Sequence, residues 1–281
     1  MKRAVFTIIL GLCFTVFALA QTKSENKPTL YLVGDSTVNN SGEDFQGWGN
    51  VIGEYFDQTR INVINRARGG RSSRTFYTEG LWQQVADELK SGDFVLIQFG
   101  HNDGGPIDRE KFRGSIRGIG EETREITGQN GNPETIHSFG WYLRKFISDA
   151  KAKKAFVVLL SPIPRNIWKN GRVERAGENY GKWSRQVAEG EKVFFVDLNE
   201  ITARKYEKIG AEKVAAEFFT TKDHTHTSPA GARLNAESVV EGLRGLKKNR
   251  LKEFIKNEKE KAVGGRIKAP SFTFSPFRFF T

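Results

Sequence analysis

The sequence holds a single cysteine and a single methionine among its 281 residues. Cys13 lies in an apolar segment at the start of the chain that we expect to be removed, so the rest of the chain has no thiol, disulfide or thiolate metal ligand. Beyond that segment no stretch is apolar enough to span a bilayer. The scarcity of cysteine therefore excludes a disulfide framework and a thiol nucleophile.

The start of the chain has the pattern of a secretory signal peptide. Lys2 and Arg3 precede an apolar run over residues 4–20, which closes on Ala-Leu-Ala at Ala20. The alternative, a transmembrane anchor, fits less well because the run is slightly short and leads into polar residues from Gln21. We therefore expect cleavage near Ala20, a secreted or periplasmic location and no transmembrane anchor in the mature chain.

Positive charge is concentrated at the C-terminal end. The chain carries a formal charge of +11, but residues 247–268 hold nine Lys or Arg against three Glu, which leaves residues 21–246 close to neutral. An exported body with little excess charge is not expected to bind nucleic acid. We divide the chain into a signal peptide at 1–20, one domain at 21–246 and a basic, Phe-rich extension at 247–281.

Strand and helix patterns alternate through the predicted domain. Apolar runs predict strands over residues 30–33, 61–64, 94–99, 156–160 and 193–198. Helical spacing predicts helices over residues 51–56, 75–89, 140–153, 181–189, 200–209 and 228–243. Because strands separated by helices form parallel sheets covered on both faces, we predict an α/β fold, a three-layer α/β/α sandwich with a central parallel sheet.

Ser36 is a candidate nucleophile because of its place in this pattern. It follows the first predicted strand, in Gly-Asp-Ser-Thr at 34–37, where parallel α/β sheets bind their ligands. A serine becomes an effective nucleophile only when a base takes its proton. Asp223 and His226, just before the last helix, offer a base and a carboxylate to orient it. The same two residues also suit a helix cap, so both interpretations remain open.

Acyl transfer also needs N–H donors for the negative oxygen of its intermediate. Gly70 follows the second strand and allows a close backbone approach, and Asn102 follows the third and carries a side-chain amide. With the Ser36 N–H they form a candidate oxyanion hole. The alternative role of Gly70 is a plain tight turn, and that of Asn102 is a loop cap. Asp35 and Asp103 are interpreted as structural turn residues.

A polar segment over residues 113–138 interrupts the alternation of strands and helices. It is long for a loop in a compact domain, and its halves, 122–127 and 134–138, flank a turn-forming run at 128–133. We predict that the two halves pair as a hairpin near the candidate site.

The motifs and their order resemble those of the SGNH (GDSL-type) hydrolases over residues 28–246, and the similarity is closest to the rhamnogalacturonan acetylesterase-like branch. It rests on Gly-Asp-Ser-Thr at 34–37, Ala-Arg-Gly-Gly-Arg-Ser-Ser-Arg at 67–74, Gln-Phe-Gly-His-Asn-Asp at 98–103, Ser-Pro-Ile-Pro-Arg-Asn at 161–166 and Asp-His-Thr-His at 223–226. The extension at 247–281 departs from the family pattern.

This resemblance implies a flavodoxin-like sandwich and a carbohydrate acetylesterase that works without metal or cofactor. Its substrate is then an acetylated plant cell-wall polysaccharide or oligosaccharide, with pectic rhamnogalacturonan foremost. Ser36 is the implied nucleophile, His226 the base and Asp223 the residue that orients the base. Gly70 and Asn102 are the implied oxyanion partners of the Ser36 N–H.

Two other functional classes stay open. A metal-dependent hydrolase would draw on the imidazoles and carboxylates of Asp35, His101, Asp103, Asp223, His224 and His226. These residues lack the spacing of a zinc site, and neither glycine motif has the spacing of a phosphate-binding loop. A carbohydrate-binding protein without turnover would stack sugars on its tryptophans, although Trp82, Trp141 and Trp183 have the helical spacing of core residues.

Cationic residues near the expected site indicate an acidic polymer as substrate. They are Arg71, Arg74, Arg165, Lys169, Arg172 and Arg175. Such a cluster suits the carboxylates of galacturonate, and solvated surface charge is the alternative. Trp168, beyond the end of the fourth strand, is a candidate stacking residue. Acetylxylan or another small acyl ester remains the alternative substrate.

Overall fold

The computed structural model describes residues 27–175, 179–221 and 223–257. Its strands are β1 (Thr29–Gly34), β2 (Asn62–Asn65), β3 (Phe94–Gln98), β4 (Thr123–Thr127), β5 (Pro133–His137), β6 (Phe156–Leu160), β7 (Trp168–Lys169), β8 (Arg172–Val173), β9 (Phe194–Val196), β10 (Phe219–Thr220) and β11 (Asp223–Thr227). Its α-helices are α1 (Ser73–Thr78), α2 (Leu81–Glu88), α3 (Phe139–Ala152), α4 (Tyr180–Gly190), α5 (Leu198–Ile209), α6 (Ala211–Phe218) and α7 (Pro229–Gly245). The predicted signal peptide lies outside the described residues.

Five parallel strands form the central sheet, in the order β2-β1-β3-β6-β9. Leu32 of β1 lies opposite Asn65 of β2 on one side and Leu96 of β3 on the other. The residues of β3 are buried throughout, as expected of a central strand covered on both faces. The predicted three-layer α/β/α sandwich is confirmed.

Alternate side chains of β1 enter two separate cores. Leu30 and Leu32 are fully buried on the face that α7 covers, whereas Tyr31 and Val33 point into the core beneath α1 to α4. Because side chains alternate along a strand, one short apolar run contributes to both layers. This explains why the strand patterns read as continuous apolar segments rather than as alternating ones.

The main differences from prediction concern short elements. The helix predicted over 75–89 is two helices, α1 and α2, joined by a turn, and residues 48–55 form two 3₁₀ segments rather than an α-helix. The predicted hairpin is confirmed as the antiparallel pair of β4 and β5. The hairpins β7–β8 and β10–β11 and helix α6 were not predicted, since elements this short carry little periodicity.

The beginning of the predicted extension packs on the domain. A 3₁₀ segment at Arg250–Phe254 buries Leu251 in the core beside α7. Ile255 forms an antiparallel bridge with Phe56, and the Lys256 N–H donates to the Tyr55 carbonyl oxygen at 2.9 Å. Residues 258–281 lie outside the described residues. No helix within the described ranges is long and apolar enough to cross a membrane.

These contacts predict different outcomes for two truncations. Ending the chain after Leu246 removes Leu251 and Ile255 from the core, which we expect to destabilise the fold by about 4 kcal/mol or more. Ending it after Asn257 leaves both contacts, so thermal unfolding and turnover of a small acetyl ester should match the full chain. Loss of turnover in a folded protein ending at Asn257 would instead show that the basic, Phe-rich end helps to build the site.

Candidate active site

The predicted site residues come together at the carboxyl edge of the central sheet. Ser36, Gly70 and Asn102 follow the neighbouring parallel strands β1, β2 and β3, so their loops emerge at the same edge. Asp223 and His226 reach this edge from β11. The five residues line a single open cavity of about 440 Å³.

A buried hydrogen-bond network fixes the turn that carries Ser36. Oδ1 of Asp35 accepts from the Thr37 N–H at 2.8 Å and from its hydroxyl at 2.7 Å. The Gln98 amide donates to Thr37 Oγ1 at 2.6 Å, and the Trp48 indole N–H donates to Gln98 Oε1 at 3.0 Å. Asp35 is thus a turn residue, as interpreted from the sequence, and Ser36 is held half-exposed above it.

Ser36, His226 and Asp223 form an unbroken line of hydrogen bonds. His226 Nε2 lies 2.9 Å from Ser36 Oγ, and His226 Nδ1 lies 2.7 Å from Asp223 Oδ2. Because a carboxylate only accepts, Nδ1 carries the proton and the Nε2 lone pair faces the serine hydroxyl. The Phe45 ring packs against the imidazole, with centroids 5.5 Å apart. This arrangement can remove the Ser36 proton.

Asp223 is hydrogen-bonded to the His226 imidazole and does not cap the helix that follows. Its Oδ1 accepts from the N–H groups of Thr225 and His226, both at 2.7 Å, whereas Ser228 caps α7. Partial burial acts to raise the pKa of Asp223, but the hydrogen bonds from His226 and Thr225 outweigh it and hold this pKa below its usual range. The carboxylate therefore stays ionised near neutral pH.

The residues of the three predicted oxyanion donors, Ser36, Gly70 and Asn102, line the same cavity. Among the described residues, none accepts from the N–H of Ser36 or of Gly70. Gly70 has a φ of +79°, a left-handed backbone that favours glycine. The Asn102 amide donates one hydrogen to the Arg71 carbonyl at 2.8 Å, which orients the amide and leaves its second hydrogen free.

Among the predicted substrate-binding residues, only Arg165 lines the cavity. The Arg71 guanidinium pairs with Glu79 at 2.9 Å and donates to the Gly69 carbonyl, so it supports the glycine turn. Arg74 is 1% exposed and bonds Glu134 through two nitrogens at 2.9 Å. Arg74 is corrected to a structural role because its guanidinium nitrogens are all engaged within the domain, whereas Arg71, which is partly exposed and does not line the cavity, stays a prediction as a substrate-binding residue.

The remaining candidates lie on or beside the β7–β8 hairpin. Trp168 packs against the cluster around Tyr206, and its indole N–H donates to Asn166 at 2.8 Å. Arg175 forms ion pairs with Glu200 and Glu207. None of the hairpin's residues lines the cavity around Ser36. Trp168 is only partly buried by this packing, and its role in stacking a sugar stays a prediction.

Two cavity residues, Lys111 and Arg113, were missed by the sequence analysis. They lie in the irregular segment after β3, where no motif or periodicity distinguishes them from other surface cations. Phe45, which packs on His226, was also missed because it lies in a loop without an apolar pattern. Only the tertiary structure brings these side chains to the site.

His101 borders the same cavity and is neutral at physiological pH. Burial lowers its pKa to about 4, which the nearby Asp35 opposes only in part. Its Nε2 is inaccessible and has no hydrogen-bond partner in the described part of the chain. An imidazolium at this position would be poorly solvated, so the folded state disfavours protonation of His101.

The burial of His101 predicts that the contribution of this residue to the stability of the fold is lost in acid. The unfolded chain protonates His101 below about pH 6.5, whereas the folded chain does so only near pH 4. Between these values the unfolded state binds more protons at His101, so the contribution of His101 to stability falls as the pH falls, by up to about 3 kcal/mol, whereas Asp103, whose pKa burial raises to about 7, contributes in the opposite direction. Compared with the unsubstituted protein, we expect His101→Gln to raise the Tm at about pH 4.5 relative to that at about pH 7, and the exposed His224→Gln to leave this difference unchanged. An equal shift in all three proteins would contradict this assignment.

No group of three or more His, Cys, Asp and Glu side chains within the described ranges is arranged to hold a metal ion. The fold and the site together define the class of this protein, an α/β/α hydrolase of the SGNH type. The profile of the GDSL-like Lipase/Acylhydrolase family matches residues 32–234, and the chain belongs to that family.

Individual relatives cover most of the chain. It is 35% identical to a rhamnogalacturonan acetylesterase of Emericella nidulans, over 76% of this chain and 84% of that protein. It is 30% identical to the rhamnogalacturonan acetylesterase RhgT of Bacillus subtilis, over 77% of this chain and 90% of that protein. The crystal structure of Bacillus subtilis YxiM matches with a TM-score of 0.63 and 27% identity, over 78% of this chain and 56% of the YxiM chain.

Proposed function

We propose that this protein is a secreted serine esterase that removes acetyl groups from plant cell-wall polysaccharide, with pectic rhamnogalacturonan as the foremost substrate. The observation that carries this proposal is the line of hydrogen bonds from Asp223 through His226 to Ser36 beside an open cavity. Family membership supports ester hydrolysis, and two relatives named as rhamnogalacturonan acetylesterases support the substrate class.

The reaction begins with attack of Ser36 Oγ on the acetyl carbonyl carbon. His226 Nε2 takes the hydroxyl proton, and the ionised Asp223 stabilises the resulting imidazolium. The carbonyl oxygen becomes negative and accepts from the N–H groups of Ser36 and Gly70 and from the Asn102 amide. Loss of one such donor typically costs about 2.7–4 kcal/mol in the barrier.

The intermediate then collapses as His226 returns its proton to the sugar oxygen, the C–O bond of the ester breaks, and the acetyl group remains on Ser36. A water molecule, deprotonated by the same imidazole, next attacks the carbonyl carbon of this acetyl-serine. The bond from that carbon to Ser36 Oγ breaks, His226 returns the proton to Oγ, and acetate leaves. The half-exposed Ser36 and the open cavity give the sugar alcohol and water a route to the reacting carbonyl.

Acetate release from acetylated rhamnogalacturonan, xylan and mannan, measured side by side, tests the substrate. We expect the largest kcat/KM on the pectic polymer and retained activity after chelation. A preference for xylan would favour the alternative substrate. Loss of activity on chelation with recovery on metal addition would favour a metal-dependent hydrolase. Binding without any acetate release would favour a carbohydrate-binding protein.

Export is proposed from the sequence pattern alone. The predicted signal peptide at 1–20 supports cleavage near Ala20 and a periplasmic or extracellular enzyme. The N-terminal sequence of the protein recovered from its native cells tests this. An N-terminus at or close to Gln21 is expected, and an intact Lys2-Arg3 segment in the mature protein would contradict export by cleavage.

A further inference from the structure

Three cationic side chains line the active-site cavity without an ionic partner. They are Lys111, Arg113 and Arg165, and among the described residues no carboxylate lies within the 4.0 Å ion-pair distance of their nitrogens. The one carboxylate that lines this cavity, Asp223, is already hydrogen-bonded to His226. The cavity therefore carries uncompensated positive charge around Ser36.

The two arginines also hold donors that are buried and unused. The Nε atoms of Arg113 and Arg165 are inaccessible, and in the described part of the chain they have no acceptor. The only side-chain hydrogen bond of Arg165 to a described residue is a long one, 3.4 Å, to the His101 carbonyl. Because a buried N–H without an acceptor is unfavourable, this arrangement suits a ligand that supplies anionic oxygen atoms.

The loop that carries Arg113 is held firmly in place. The N–H groups of Arg113 and Gly114 both donate to the Pro106 carbonyl, at 3.1 and 2.8 Å. From beneath, the buried Arg74 guanidinium donates to the carbonyls of Ile107 at 2.7 Å and Gly114 at 2.9 Å. The loop is therefore tied to helix α1, and the position of Arg113 is set by the fold.

Close packing in this loop adds to that constraint. A Cβ atom on Gly114 would lie 2.0 Å from the Gly105 carbonyl oxygen, so no larger residue fits there without moving the loop. The next residue, Ser115, donates its N–H to the Asp103 carbonyl at 3.0 Å. Arg74 itself is fixed by Glu134 of the β4–β5 hairpin. The segment is thus built to present Arg113 at one position.

A second cavity, of about 270 Å³, adjoins the first. Both cavities are bordered by His101, Arg113 and Arg165, so the two arginines stand between them. Glu174 and Tyr180 also border the second cavity. A chain of sugars whose acetyl group lies at Ser36 would pass the arginines on its way into this neighbouring space.

We propose that Arg113 and Arg165, with Lys111 at the cavity rim, bind the carboxylate of a uronic acid unit in the polysaccharide. This inference rests on the proposed function and adds to it the residues that select an acidic substrate. Guanidinium groups bind carboxylates through paired hydrogen bonds, which a neutral sugar does not reproduce. The role is one of substrate recognition and not of bond cleavage.

The test compares an acidic with a neutral substrate in four variants. Arg113→Gln and Arg165→Gln should each lower the ratio of kcat/KM for acetylated rhamnogalacturonan oligosaccharide to that for 4-nitrophenyl acetate by about tenfold or more, mainly through KM. Arg113→Lys should recover part of the ratio. Arg250 is an exposed arginine remote from the cavity, so Arg250→Gln should leave kcat/KM for both substrates unchanged. Equal losses on the two substrates would overturn the proposal.

An inhibition experiment separates this inference from the proposed function. Oligogalacturonate should inhibit 4-nitrophenyl acetate hydrolysis by the full-length protein at least about tenfold better than a neutral galacto-oligosaccharide of equal length, and Arg113→Gln should abolish the difference. Equal inhibition by both sugars in an active esterase would refute uronate recognition alone. Failure of the protein to hydrolyse any acetyl ester would refute the esterase itself.

Discussion

Replacing Ser36 with alanine is expected to lower kcat for acetyl-ester hydrolysis by about 10⁴-fold or more. The variant loses the atom that attacks the carbonyl, and His226 then has no hydroxyl to deprotonate. Stability should change little because the turn is held by the side chains of Asp35, Thr37 and Gln98 rather than by Ser36. Steady-state kinetics on a small soluble ester and thermal unfolding measure the two effects.

A matched control for this variant is Ser41→Ala, which changes an exposed serine of the same loop region. It should keep full turnover and the same Tm. Mass spectrometry with an acylating inhibitor provides a second readout, since the label should appear on the peptide that holds Ser36 and disappear in Ser36→Ala. More than about 5% residual activity in a folded Ser36→Ala protein would exclude Ser36 as the nucleophile.

Replacing His226 with alanine is expected to produce a loss of similar size, because nucleophile and base act as a unit. The neighbouring His224 is a matched control, since its imidazole is exposed and bonds the Thr225 hydroxyl rather than Ser36. His224→Ala should therefore retain turnover. If both histidine variants lost activity equally, the effect would have to come from the loop and not from the base.

Asp223→Asn should be damaging but less complete than His226→Ala, with a loss of about 10³–10⁴-fold. The amide keeps the shape of the carboxylate but no longer stabilises the imidazolium or fixes the tautomer. The direct measurement is kcat/KM for both variants on one ester. A larger loss in Asp223→Asn than in His226→Ala would contradict these roles.

The same site predicts the pH profile of the wild-type enzyme. The mechanism needs a neutral imidazole at His226 to accept the Ser36 proton, so kcat/KM should fall on the acidic side. Asp223 adds no second step there because its pKa is lowered, and His101 adds none above about pH 4. Burial raises the pKa of Asp103 to about 7, so a break near neutrality that Asp103→Asn removes would indicate a contribution from that carboxyl.

Prediction from sequence succeeded best where the pattern was long and periodic. The strand at 156–160 has the bounds of β6, and the helix predicted at 140–153 differs from α3 by one residue at each end. Buried parallel strands and amphipathic helices repeat over enough residues to be recognised. The two-residue strands β7, β8 and β10 have no such repeat, and tertiary packing alone forms them.

Some residues of the candidate site could be predicted from local motifs, and others could not. Ser36, Asp223 and His226 were singled out by motifs and their order, and the structure brings them within hydrogen-bond distance. Motifs and their order did not reveal the roles of the cationic residues. Arg74 and Arg113 look alike in the sequence, but the first is buried against Glu134 and the second borders the cavity.

The sequence by itself therefore determined the layer architecture and the chemical groups of the candidate site, because periodicity and short motifs are local properties. Only the tertiary structure decided which arginines are paired within the domain and which border the active-site cavity. Ion pairing depends on partners far apart in the chain, such as Arg74 and Glu134, sixty residues apart. A guanidinium has the same chemistry in every sequence context, and its surroundings alone decide whether it supports the fold or binds a ligand.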